Sequence, residues 1–456
     1  MRSKFILLLL IVVLGFCIRF FLPFINDFEK PPLHGPDAHY HTRRMLLGVR
    51  NYPGIPVYDS YLSYPAGGYV IWPLGYDFAG ATIGYLLFGK NASEKIVEWV
   101  CAIYPILWGL LSIIFAYLLG RKVINEQVGL IASFFVAVLP CNAWWSALGY
   151  NDHHIAEALV LVALFYLLVR IQAKKMCDWI LIGAVMGIGM LLWQGAILFA
   201  GLLFCVFLVT REFESIYSYI IALLIILPFS INTHFVDSPF SYRGLSLLHI
   251  VLLLIAILIM AIFFLLRKKP RILVCLPIVG LAILLFFLFQ EKGFWGGISF
   301  ITKKDPWLET ILEFKPLLIQ PDVIETITLK SLYGYSYYIW PIGLFMMLWE
   351  NKRKEIYLFG FFAIFAGIMA FIARRYSVWF SPFYAIILGY IIVHIYKLVS
   401  KIAKKSWCGV VFCGIMIGIV MDPVMKYGYD KIHWTYHSKV SFSAYQWLSD
   451  STPETS

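Results

Sequence analysis

Residues 128–171 read VGLIASFFVAVLPCNAWWSALGYNDHHIAEALVLVALFYLLVRI, two apolar runs separated by the polar knot Gly149-Tyr150-Asn151-Asp152-His153-His154. Each run approaches the ~20 residues needed to cross ~30 Å of hydrocarbon, so the knot falls at the lip of a membrane. Holding an ionisable cluster there is costly, and the default reading of such a cluster is a functional site. Asp152 and His154, two positions apart, offer a carboxylate oxygen and an imidazole nitrogen, both ligands for a divalent cation.

The rest of the chain repeats this alternation. Of its 456 residues 61% are hydrophobic and only 14% charged, the composition of an all-α polytopic membrane protein. Apolar windows fall at 5–25, 97–119, 128–146, 155–171, 179–193, 195–210, 216–233, 246–266, 271–289, 335–349, 355–373, 378–397 and 406–422. That is about thirteen spans. The first follows Arg2 and Lys4, is too long for a signal peptide, and has no small-residue cleavage site after it.

A net charge of +11 would suggest nucleic acid in a soluble chain, but no basic run interleaved with aromatics offers a nucleic-acid surface. The basic residues instead cluster on alternate connections. Arg121 and Lys122, Lys174 and Lys175, Arg267 to Lys269, Lys352 to Lys354, and Lys401 to Lys405 all share a side with the N-terminus. That side is therefore cytoplasmic. The eight cysteines lie in or beside apolar segments, which indicates neither a disulfide framework nor a cysteine-based zinc site.

The outer side receives two long polar loops, 26–96 and 290–334, the connection 147–154, and the chain beyond about 423. Residues 1–425 form one transmembrane core, and 426–456 read as the start of a soluble segment that is cut short. Four outer segments carry chemistry: Gly35-Pro36-Asp37-Ala38-His39-Tyr40-His41, the knot at 149–154, Thr310-Ile311-Leu312-Glu313, and Arg374-Arg375-Tyr376. Carboxylates from separate loops with one imidazole suit Mn²⁺ or Mg²⁺, and zinc is also compatible. Such a cation neutralises a diphosphate as a Lewis acid, and a nearby arginine adds charge-assisted hydrogen bonds to phosphate.

In these motifs the chain resembles the catalytic subunit of oligosaccharyltransferase, the membrane enzyme of asparagine-linked glycosylation. Asp59-Ser60-Tyr61-Leu62-Ser63-Tyr64-Pro65-Ala66-Gly67-Gly68, followed by Trp72-Pro73, is similar to the family's first-loop signature. Gly149 to His154 resembles its second acidic motif, Thr310 to Glu313 its Thr-Ile-Xaa-Glu motif, and Arg375-Tyr376 its arginine–aromatic pair. The resemblance implies a GT-C type glycosyltransferase fold. It implies that Asp37, Asp152, His154 and Glu313 hold the metal, and that Asp37 and Glu313 also bind the acceptor carboxamide. His153 and Arg375 would contact the diphosphate. The implied partners are a polyprenyl-diphosphate-linked oligosaccharide, an acceptor polypeptide and the lipid bilayer. The implied location is the cell membrane, with catalysis on its outer face.

Two departures stand out. Some relatives carry an arginine seven residues before the second-motif Asp, where this chain has Trp145. The family's Trp-Trp-Asp-Tyr-Gly motif, which reads the Ser or Thr of the acceptor, is absent from the 456 residues; Trp144-Trp145 is followed by Ser146. A glycosyltransferase with another acceptor is the rival within enzymes, and a lipid-linked-sugar transporter the rival outside them. Plainer readings accompany each residue: Asp152 as a helix N-cap with Glu157 in the following turns, His39 and His41 as solvated loop residues, Arg374 and Arg375 as interfacial, Asp77 as structural, and Trp193-Gln194-Gly195 as a turn with an interfacial Trp.

Overall fold

Apolar runs of this length can satisfy their backbone polar groups in hydrocarbon only by closing them internally, and they do so as helices. The computed structural model describes residues 2–21, 31–171, 175–232, 239–265, 312–315, 317, 329–423, 447 and 451. Its helices are α1 (Arg2–Phe21), α2 (Gly35–Arg50), α3 (Gly75–Phe88), α4 (Glu94–Val123), α5 (Glu126–Val138), α6 (Pro140–Ala143), α7 (His154–Arg170) and α8 (Met176–Leu192). They continue with α9 (Ile197–Thr210), α10 (Ile216–Asn232), α11 (Leu247–Leu265), α12 (Leu329–Tyr333), α13 (Trp340–Glu350), α14 (Lys354–Ile372), α15 (Ser377–Ala403) and α16 (Ser406–Pro423). A helix stands in every expected span window except 271–289, which lies outside the described residues, as do most of 290–334 and of the segment 426–456. Six described helices are long and apolar enough to cross a membrane unaided, or seven if the bent pair around Pro140 counts as one span.

The centre of the bundle is α7 and α15, flanked by α4, α5 and α14. From His154 to Phe165 every residue of α7 is buried. Phe165 packs against Phe362 and Phe383 with ring centroids 4.7 and 5.8 Å apart. Helix α1 is peripheral, and Phe5, Leu9 and Leu10 leave its outer face exposed where lipid would cover it.

The first long connection, expected as a loop, contains two helices. Pro36 presets the backbone at the start of α2. Ala38, Met45 and Val49 bury one stripe of that helix against α3 and α4. Between α2 and α3 a short antiparallel ladder pairs Tyr58 with Tyr69 and Asp59 with Gly68. The apolar stripe of α2 is sparse in sequence because polar residues, Thr42 and Arg44 among them, share the buried face.

A break in the second span positions the knot. Pro140 has no N–H to give Val136, so α5 stops, Leu139 turns extended, and the chain bends by 65° into residues 140–146. The freed carbonyls are taken by Arg19 of α1, whose Nη2 donates to Val136 O at 3.0 Å and whose Nη1 donates to Ala137 O at 2.9 Å. Its remaining donors reach Asn142 Oδ1 and Ser146 Oγ, both at 2.8 Å, and Gly15 O at 3.1 Å. Leu148 N–H then donates to Arg19 O, and Gly149 N–H to Ala102 O. Gly149 sits at φ 80°, and a Cβ there would overlap the Pro32 carbonyl oxygen. Gly149→Ala is therefore expected to cost at least about 1–3 kcal/mol, read as an earlier unfolding midpoint in detergent.

Candidate active site

Four segments distant in sequence converge on one end of the bundle. Helix α2 brings Asp37 and His41, and the knot brings Asp152, His153 and His154. A 3-10 turn at Leu312–Phe314 brings Glu313, and another at Arg374–Tyr376 leads into α15 with Arg375. The Glu313 segment is tied down by Arg374 N–H donating to Lys315 O at 3.2 Å and Leu317 N–H to Phe371 O at 3.3 Å. The Arg375 guanidinium lies over the Phe314 ring, 4.9 Å from its centre.

Two carboxylate oxygens approach one imidazole nitrogen. His154 Nε2 is 3.2 Å from Asp152 Oδ2 and 3.4 Å from Glu313 Oε2. Ligand atoms on one cation with ~2.1 Å bonds stand about 3.0–3.4 Å apart, so each of these two pairs has the spacing of ligands to one cation. Asp37 lines the same cavity. Burial raises its pKa, and the negative charges of Asp152 and Glu313 raise it further. Crowded carboxylates of this kind call for a compensating positive charge.

The surrounding groups fix each donor. His154 Nδ1 lies 2.9 Å from Glu157 Oε1, which directs its Nε2 lone pair toward Asp152 and Glu313. Glu157 also accepts from Trp379 Nε1 at 2.9 Å and Arg375 Nη2 at 3.5 Å, so this buried carboxylate is a hub of the site. Burial opposes the charge of Asp152, yet His154 and His153 hold its pKa well below the usual carboxylate range. Burial likewise opposes the charge of Glu313, but the Arg375 guanidinium, 3.0 Å away, draws its pKa down to about 2.

A second chain of charges backs the first. His41 Nδ1 is 2.6 Å from Asp77 Oδ1, and Arg44 Nη1 donates to Asp77 Oδ2 at 2.7 Å. Burial disfavours the charged form of Asp77, and His41 and Arg44 overcome it, so its pKa lies below the ordinary value. For His41 burial lowers the pKa, but Asp77 outweighs it and the net shift is upward. His153 lies between the two chains, with Nδ1 2.8 Å from Asp152 Oδ1 and Nε2 3.3 Å from Glu157 Oε1. Both its ring nitrogens face protein groups.

Several plain readings of the sequence yield to this geometry. His41 and Asp77 are fully buried partners, and Glu157 is no longer a mere first-turn charge; the signal for each was a pairing distant in sequence, His41 with Asp77 and Glu157 with Trp379, which periodicity does not carry. Asp152 is not the N-cap of α7, which is His153, and the backbone N–H that Asp152 Oδ1 accepts is that of the adjacent His153, at 2.6 Å. Trp145, at the position where some relatives have arginine, packs edge-on to the His154 ring at 4.9 Å. Trp193 is buried against Trp379 rather than interfacial. His39 is exposed.

The site opens into a cavity of about 1580 Å³ whose far wall is apolar, formed by residues such as Ile197, Leu198, Leu252 and Ala256 of α9 and α11. At its mouth Arg374 is 3% exposed, and its Nε and Nη1 have no acceptor among the described residues. A buried guanidinium left in that state is suited to an anion.

Residues 80–234 match the family described as Dolichyl-phosphate-mannose-protein mannosyltransferase. Among curated proteins the chain is 30% identical over 370 residues to Dolichyl-phosphooligosaccharide-protein glycotransferase 2 of Archaeoglobus fulgidus, covering 79% of this chain and 57% of that protein. It is 26% identical over 357 residues to glycotransferase 1 of the same organism, covering 78% of this chain and 56% of that one. The chain thus spans rather more than half the length of the curated relatives it matches. Among solved structures, the archaeal oligosaccharyltransferase AglB from Archaeoglobus fulgidus, in complex with an inhibitory peptide and a dolichol-phosphate, superposes with a TM-score of 0.85 at 20% identity. That match covers 99% of this chain and 58% of AglB. The same organism's enzyme in complex with Zn and sulfate matches with a TM-score of 0.73 at 20% identity, covering 98% of this chain and 56% of that one. The fold is that of AglB, and over 79% of its length the chain is similar to an archaeal glycotransferase.

Proposed function

We propose that this chain is a metal-dependent membrane glycosyltransferase. It moves an oligosaccharide from a polyprenyl-diphosphate donor to the side-chain nitrogen of an acceptor asparagine, on the outer face of the cell membrane, with its N-terminus in the cytoplasm. The observation that carries the reading is the approach of Asp152 Oδ2 and Glu313 Oε2 to His154 Nε2 at the polar end of a cavity with an apolar depth. The apolar wall suits a prenyl chain, and the polar end suits its phosphates. The archaeal relative described with dolichol-phosphate and a peptide supports the same two ligand classes.

Asp37, Asp152, His154 and Glu313 would hold Mn²⁺ or Mg²⁺, which when bound neutralises the charge developing on the diphosphate as a Lewis acid. The donor set, oxygen-rich with one imidazole, fits those ions. Arg375 steadies Glu313 and, with Arg374, closes the phosphate side by charge-assisted hydrogen bonds.

An amide nitrogen is a poor nucleophile because its lone pair is delocalised into the carbonyl. Asp37 and Glu313, accepting its two N–H bonds, weaken that conjugation while the nitrogen attacks the anomeric carbon. The C–N bond forms as the bond from the sugar to the diphosphate oxygen breaks, and a carboxylate takes the released proton.

Glu313→Gln keeps the side chain's size but removes one acceptor charge. In a reconstituted membrane assay with a lipid-linked donor and an Asn-Xaa-Ser/Thr peptide, it is expected to leave the fold intact and lower transfer at least a hundredfold. Retained transfer would remove Glu313 from the reaction. Mass spectrometry of the product decides the acceptor: glycan on a hydroxyl in place of the asparagine nitrogen would favour the rival acceptor class.

A further inference from the structure

We propose that His41, His153 and Asp152 hold a second divalent cation, of zinc type, beside the site formed by Asp152, His154 and Glu313. The inference uses Oδ1 of Asp152, the oxygen that the first set leaves, and it does not depend on the glycosyl-transfer reading.

Asp77 receives Arg44 Nη1 at 2.7 Å and faces His41 Nδ1 at 2.6 Å, so the His41 proton is claimed at Nδ1 and the Nε2 lone pair points inward. Glu157 Oε1 stands 3.3 Å from His153 Nε2, and Nδ1 of that ring faces inward. The two inward nitrogens are 3.4 Å apart. Asp152 Oδ1 is 2.8 Å from the His153 nitrogen and 3.9 Å from the His41 nitrogen.

Two ring nitrogens and a carboxylate oxygen thus face one another, close enough to share one ion, among residues that are 1%, 5% and 5% exposed. Tetrahedral bonds of 2.0–2.1 Å to zinc place nitrogen ligands about 3.3–3.4 Å apart, the separation seen here. Two imidazoles with one carboxylate are a donor set that catalytic zinc sites use, softer than the oxygen-rich neighbour. Asp77 and Glu157 supply the carboxylates that orient ligating histidines from behind. Asp152 becomes a bridging carboxylate, and the cation ties α2 to the knot.

The rival occupant is a proton shared by the two rings, and metal stoichiometry separates the cases. The full chain, stripped by a chelator and reconstituted in nanodiscs, is titrated with zinc and its bound metal counted. Cobalt(II) substitution reports tetrahedral nitrogen ligation by visible absorption. The native chain is expected to bind two equivalents, and His41→Gln and His153→Gln one each, with the tetrahedral cobalt bands lost. Melting curves of the metal-free variants check that they fold, and the native count and cobalt spectrum stand even where they do not. One native equivalent that vanishes in His41→Gln yet survives in Glu313→Gln upholds this site and removes the neighbouring one. One equivalent unchanged in His41→Gln, or none, overturns the proposal.

Discussion

Asp152→Asn is expected to abolish Mn²⁺ binding beside His154 and to slow glycan transfer by about a thousandfold, which is several kcal/mol at ~1.4 kcal/mol per tenfold. The substitution is severe for chemistry and mild for structure. An asparagine oxygen in place of Oδ1 still accepts the His153 N–H that Asp152 takes at 2.6 Å. The new Nδ2 stands where Oδ2 lay, 3.2 Å from His154 Nε2. In the tautomer with the His154 proton at Nδ1, facing Glu157 Oε1, Nε2 accepts from the new amide. The variant therefore fills its own metal site with a hydrogen bond. Isothermal titration with Mn²⁺ and a melting curve are the paired measurements. Native-like Mn²⁺ affinity in a folded Asp152→Asn chain would show that the cation sits elsewhere.

The residues that make this prediction were legible in unequal degree. Asp152, His154, Glu313 and Arg375 could be placed on one side because apolar windows and basic clusters count off the crossings, and each lies beside a crossing or in an outer loop. Their motifs did the rest. What the pattern could not carry is the layer behind them. Glu157 lies in an apolar helix where a lone carboxylate reads as a cap, and its partners Trp379 and Arg375 come from the far end of the chain. His41 and Asp77 belong to a connection whose polar composition hid two helices. Buried polar residues paired with one another look solvated in a one-dimensional pattern, because hydropathy counts residues and not partners. Asp77, read as structural, is structural in a particular way: it orients His41 toward the site.

The same blindness hid Arg19, and its replacement carries the largest expected loss of stability. Arg19→Met removes a guanidinium whose donors hold two carbonyls freed by Pro140, together with Asn142, Ser146 and Gly15. Methionine preserves much of the stem and none of the hydrogen bonds. Val136 O, Ala137 O and Asn142 Oδ1 would be left without this donor in a region where Arg19 itself is 0% exposed. Each buried orphan costs about 1–3 kcal/mol, so the sum is a large share of a typical stability of about 5–15 kcal/mol. Arg19→Lys should recover part of it, since an ammonium keeps the charge but cannot span the fork of acceptors. The consequence extends to the knot, because Leu148 N–H donates to Arg19 O and Gly149, Asp152 and His154 follow directly. In detergent, tryptophan fluorescence should show Arg19→Met unfolding well before the native chain and Arg19→Lys between them, with Mn²⁺ affinity falling in the same order. A native melting curve for Arg19→Met would mean that the break at Pro140 is held by other contacts, and the clasp would then have no part in placing the metal ligands.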